Sequence, residues 1–145
     1  MKELLYLKDE QIKEFIQLLF YAYRETFSDP KEILSKKFFG PAHLRALNLI
    51  EQNPGINLGE LIFRLKVTKQ SLNRVLKDLI KLDIITFKKD DLDTRIKHVY
   101  LNDKGKKIFE EIFVVQKKRI YNALLSSSSE EVINFDSVLK KIING

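Results

Sequence analysis

Hydrophobic positions recur along most of the chain at steps of three and four, the period of a helix with one buried face. Ile12, Phe15, Ile16, Leu19, Phe20 and Tyr23 keep this spacing and predict a helix over about 9–27, stopped by Ser28-Asp29-Pro30. A second predicted helix starts near Pro41, carries Leu44, Leu47 and Ile50, and ends in the turn Asn53-Pro54-Gly55. Asn57 with Glu60 three residues on has capping-box spacing and predicts a short helix over 58–65. Lys66-Val67 then form a turn and Thr68 caps the next helix. Leu72, Val75, Leu76 and Leu79 make the inward stripe of that helix, leaving Lys69, Gln70, Asn73, Arg74 and Lys77 on its other side.

The pattern changes beyond Asp83, which stands where the helix must exit in a left-handed turn, a conformation glycine adopts more easily. Residues 84–87 and 96–101 are β-branched or aromatic and predict two strands; Lys88 to Arg95 between them form a polar hairpin tip. Asn102 caps a helix over about 103–124 with Ile108, Phe109, Ile112, Phe113, Val115 and Ile120 as apolar positions. Ser128 and Glu131 repeat the capping-box spacing ahead of a last helix bearing Phe135, Val138, Leu139 and Ile142. Short helix, turn, second helix and hairpin, in that order, are the parts of a winged helix-turn-helix. The expected fold is therefore mainly α with a small β-hairpin. A winged helix-turn-helix over 41–101 lies within a single domain of 1–145, and the helices of 1–27 and 103–145 carry more apolar surface than so small a reading core needs.

Composition narrows the function. At 145 residues, 44% hydrophobic and 32% charged, the chain has the make-up of a soluble globular domain. No apolar run approaches the roughly 20 residues of a membrane span. The start, MKELLYLKDEQ, meets charge too early for a secretion signal, which leaves the cytoplasm as the expected location. Without cysteine there is no disulfide, thiol chemistry or thiolate metal site. Residues 64–97 hold ten Lys/Arg and five Asp/Glu, so +5 of the net charge of +6 sits on the predicted reading part, where phosphate attraction needs it. No nucleophile elbow, phosphate-cradling glycine loop or metal-ligand cluster is present, so neither an enzyme nor a cofactor is expected. The only histidines, His43 and His98, fall on different elements, which argues against a metal sensor; His98, on a strand, is expected to face solvent.

The stretch 41–107 resembles the MarR family of dimeric bacterial transcription regulators. Leu58-Gly59-Glu60-Leu61 stands at the scaffold-helix position, and Val67-Thr68-Lys69-Gln70-Ser71-Leu72 is similar to the start of the family's recognition helix. Asp93-Thr94-Arg95 matches the D-x-R of its wing, and Tyr100-Leu101-Asn102-Asp103-Lys104-Gly105 resembles the L-T-x-K-G that opens the following helix. Asp83 replaces the usual glycine, and the wing carries one arginine in place of a denser basic cluster.

The resemblance implies a homodimer on a pseudo-palindromic operator, acting as a repressor. One module offers little contact, and two-fold symmetry sets half-sites about 34–36 Å apart. On the recognition helix, Gln70 and Asn73 suit adenine and Arg74 suits guanine. Thr68, Lys69, Ser71 and Lys77 suit phosphates, with Lys88, Lys89 and Lys97 adding to the wing. Arg95 suits the minor groove and Asp93 is placed to orient it. The family's small-molecule effectors imply a crevice, for which Tyr21, Tyr23, Arg24, His43 and Arg45 are the candidates. The rival reading is a winged-helix interaction module without specific DNA binding, to which Asp78, Asp83, Asp90, Asp91 and Asp93 lend some weight.

Overall fold

Leu44, Leu47, Ile50, Leu61, Leu79, Ile84, Val99 and Ile112 are sealed from solvent, and the fold is laid out around them. The computed structural model describes residues 4–145. After a 3-10 turn at Leu5–Leu7 come α1 (Asp9–Ser28), α2 (Lys31–Lys36), α3 (Pro41–Gln52), β1 (Ile56–Asn57), α4 (Leu58–Leu65), α5 (Lys69–Lys81), β2 (Ile85–Lys89), β3 (Lys97–Leu101), α6 (Asp103–Leu125) and α7 (Ser129–Asn144). The chain divides into two compact units. One comprises Pro30–Phe113; the other joins the residues up to Asp29 with Val114–Gly145.

In the first unit α3, α4 and α5 pack with an antiparallel sheet of order β1-β3-β2. Ile56 lies opposite Val99, and β2 runs against β3 from Ile85–Leu101 to Lys89–Lys97. Two elements here go beyond what the hydrophobic pattern predicts. One is α2, whose six residues are too few to show a period. The other is β1, whose two residues extend the sheet beside the hairpin. Both strands begin one residue later than the apolar runs suggest, and β2 also ends two residues later. Lys88 and Lys89 belong to β2 and not to the hairpin tip, because the ladder continues as long as partners on β3 exist.

α2, α4 and α5 end alike. Phe38, Lys66 and Asp83 adopt φ of 60°, 51° and 56°. In each case the next residue's N–H reaches back five residues: Phe39 to the Leu34 carbonyl, Val67 to Ile62 and Ile84 to Leu79. The left-handed residue itself bonds three back, to Ser35, Phe63 and Ile80. This is the Schellman arrangement, usually built on glycine and here built three times without it. At Lys66 it forms the turn between the two helices of the reading motif.

The second unit is different. Among the described residues the buried apolar side chains lie between Pro30 and Ile112, so none belongs to it. α1 exposes Phe15, Ile16, Leu18, Leu19, Phe20 and Tyr23, and α7 exposes Ile133, Phe135, Val138, Ile142 and Ile143. Arg119 grips Asp29 through Nε (2.6 Å) and Nη2 (3.0 Å), and that hydrogen-bonded guanidinium holds the Asp29 carboxyl below its ordinary value. Ser128 and Glu131 form a full capping box at the start of α7. No helix among the described residues is long and apolar enough to cross a membrane.

Candidate nucleic-acid interface

α5 exists because Leu72, Leu76 and Leu79 bury one side of it and Thr68 satisfies its first turn, accepting from the Ser71 amide at 3.1 Å. The opposite side is left to solvent. Lys69, Gln70, Ser71, Asn73, Arg74 and Lys77 are all exposed there. The Thr68 hydroxyl donates to Ser71 Oγ at 3.0 Å, so Thr68 is committed to the cap while Ser71 keeps its own hydroxyl proton to donate. Ahead of α5, Asn57 caps α4 by accepting from the Glu60 amide at 2.8 Å, but the box is only half built. Glu60 turns instead to Arg64, one turn on, at 2.9 Å.

The hairpin tip is held by side chains. Asp90 Oδ2 accepts from the Leu92 and Asp93 amides, both at 3.0 Å, and the backbone closes through Asp90 N–H to Ile96 O at 2.9 Å. Asp93 grips Arg95 with both oxygens, from Nε and Nη2, each at 3.0 Å, and also accepts the Arg95 amide. The guanidinium bond is the main reason the Asp93 carboxyl titrates below its ordinary value and Arg95 above its own. Arg95 is nonetheless 87% exposed, so a surface cation is held in one direction at the tip. Lys97 lies over the Phe87 ring at 5.9 Å, across the strand pair. Lys89 is opposite it, so with Lys88 and Arg95 the hairpin carries four cations.

His98 does not face solvent freely. Its Nδ1 lies 2.7 Å from the Gly55 carbonyl and its Nε2 2.8 Å from Asp90 Oδ1, with the side chain about a quarter exposed. A place on a strand therefore does not make this side chain a solvent-facing one. The reason is β1, which pairs with β3 and whose preceding turn brings Gly55 alongside.

The residues expected to line an effector crevice are distributed over both units. In one, Arg24 lies over the Tyr21 ring at 4.9 Å and pairs with Glu25, while Tyr23 stacks near Phe27 and lines an apolar groove between α1 and α7. In the other, His43 Nδ1 accepts from the Gly40 amide at 2.9 Å, leaving Nε2 to meet Asp78 at 2.8 Å, and its ring stacks on Phe39. Arg45 borders a small cleft between α3 and α5. No group of three or more His, Asp or Glu among the described residues is arranged to hold a metal.

A capped helix with a buried leucine stripe and a polar outer face, next to a cationic hairpin, defines a winged helix-turn-helix protein. The sequence model of the MarR family matches residues 39–96. Over 141 residues the chain is 37% identical to the HTH-type transcriptional regulator PetP of Rhodobacter capsulatus, an alignment covering 97% of this chain and 85% of that one. The chain belongs to the MarR family, whose members are transcription regulators and not enzymes. Solved structures share the fold. MepR of Staphylococcus aureus in complex with DNA superposes with a TM-score of 0.69 at 19% identity, over 90% of this chain and 96% of that one. NadR in complex with 4-hydroxyphenylacetate superposes with a TM-score of 0.77 at 19% identity, over 98% and 97%.

Proposed function

We propose that this regulator represses transcription as a homodimer on a pseudo-palindromic operator, with α5 in the major groove and the β2–β3 wing in the minor groove. The observation that carries the reading is the tip of the wing, where Asp93 fixes an outward guanidinium at a point a narrow, strongly negative groove would accept. α5 supplies the base-reading side. Gln70, Asn73 and Arg74 lie in its first turns, exposed and free of the core, and Lys69, Ser71 and Lys77 flank them as phosphate contacts. The DNA complex of MepR, which has this fold, supports the mode. A small-molecule effector belongs to the same reading, supported by the ligand that NadR holds.

Selection of bound sequences from a random duplex pool tests the proposal. An inverted repeat is expected, with half-site centres about 10–10.5 base pairs apart or a multiple of that. A pool that never enriches removes DNA reading and leaves a protein partner as the role of the fold.

A further inference from the structure

Each ring nitrogen of His98 faces an oxygen that can only accept: the Gly55 carbonyl at Nδ1 and a carboxylate at Nε2. A neutral imidazole has one N–H and satisfies one of them. Only the imidazolium satisfies both. Asp90 is in turn fixed as an anion, because its second oxygen accepts the Leu92 and Asp93 amides. One path of bonds therefore runs from the turn before β1, through His98 and Asp90, to Asp93 and so to Arg95.

We propose that His98 is the positioning residue of the wing: its protonated ring ties the hairpin tip to the Gly55 turn, so that the aim of Arg95, and with it DNA binding, weakens as pH rises. This rests on the DNA-binding reading above. The groups around the ring favour its charged form. Asp90 touches it and Asp91 stands nearby; Lys88, directly across on β2, opposes them, and β1 places the neutral Asn57 opposite. The bond to Asp90 first, then that to Gly55, lifts the ring's titration above its ordinary 6.5. A raised value means the clamp is complete below that pH and is lost as pH climbs through the elevated one. His43, the other histidine, spends Nδ1 as an acceptor on α3 and has no part in the hairpin.

Two measurements test this. In the wild-type protein, NMR follows the His98 ring and the amide exchange of Leu92 and Asp93 across the same pH range; exchange at both amides is expected to speed up beyond its ordinary pH dependence with the midpoint of the ring. Exchange that ignores the ring's titration overturns the clamp. In parallel, anisotropy with the labelled random duplex pool compares wild type with His98→Gln. Wild-type affinity is expected to fall about fivefold from about pH 6.5 to 8.5, as a charge-assisted bond is lost, with the variant flat and weak throughout. Equal slopes in both proteins overturn the proposal. If neither binds at any pH, the DNA reading has failed, and the exchange measurement still decides whether His98 holds the wing.

Discussion

At the scale of single residues, the surface divides into side chains the fold has spent and side chains it has left available. Thr68, Asn57, Asn102 and Asp90 are spent: each satisfies backbone amides at the start of a helix or in a turn. His43 is spent on Gly40 and Asp78. Arg95 is the contrasting case, because its guanidinium stands out in water beyond a part-exposed Asp93, and such a surface pair stabilises the fold little. What the pair gives is direction. Arg95→Ala is expected to weaken binding to the selected duplex by about tenfold, the loss of one charge-assisted contact, while the melting temperature stays within a degree or two. A gel-shift titration beside a thermal melt checks both halves. Unchanged affinity would take the wing out of the mechanism. The Asp93–Arg95 pair was legible in the sequence as a spacing of two at a hairpin tip, and the outward side of α5 as a period. His98 was not legible as a clamp, because its partner Gly55 is 43 residues away in the chain and only the fold brings them together.

At the scale of elements, helix starts were written more plainly than helix ends. Asn57, Thr68, Asn102 and Ser128 cap where their side-chain chemistry says they should. The ends at Phe38 and Lys66 carry no signal, since neither residue favours the left-handed conformation that it adopts; Asp83 carries a weak one. For the same reason α2, short and closed by a phenylalanine, leaves no mark in the sequence. The junction after Asp83 shows what such an end requires of its neighbours. Asn102 donates to the Asp83 carbonyl at 2.8 Å and accepts the Gly105 amide at 2.8 Å, drawing the first turn of α6 onto Ile84. A β-carbon on Gly105 would collide with the Ile84 carbonyl, which is backbone and cannot step aside. Alanine there gains up to about 1 kcal/mol of helix propensity. The overpacking costs about 1–3 kcal/mol or more where backbone must move, and wins. Gly105→Ala is therefore expected to lower stability in a urea melt. Gly59→Ala, whose added carbon meets only Asn57 Oδ1 at 3.4 Å, is expected to hold or raise it. Equal behaviour of the two variants would show that the α6 junction is looser than this packing implies.

At the scale of the whole molecule, the distribution of apolar surface argues for a second copy of the chain. The unit built on Pro30–Phe113 has a closed core. The unit that joins α1 to α7 has none, and the groove between them, about 640 Å³ and lined by Phe15, Leu19, Tyr23, Phe135, Val138 and Ile142 among others, is almost wholly apolar. Two helices that leave faces this large in water lose a contribution of about 25 cal/mol for each Å² of apolar surface left uncovered, and contiguous patches of this kind mark interfaces. Charge does not suit the groove to an ionic partner, since its lining contains no charged side chain. A matching copy of the same helices satisfies both conditions, and the proposed homodimer would carry two α5 helices and two wings. Replacing Val138, 53% exposed on α7, by glutamate places a charge on that face. Sedimentation at micromolar concentration is expected to give a dimer for the wild type and a monomer for Val138→Glu. The far-ultraviolet signal of α3, α4 and α5 should persist, while affinity for an inverted repeat should fall by about a hundredfold or more, because the second half-site can no longer bind as part of the same molecule. A wild-type protein that sediments as a monomer would overturn the dimer, and a Val138→Glu variant that remains dimeric and binds the repeat unchanged would place its contact elsewhere; either result leaves the α1–α7 groove without a role.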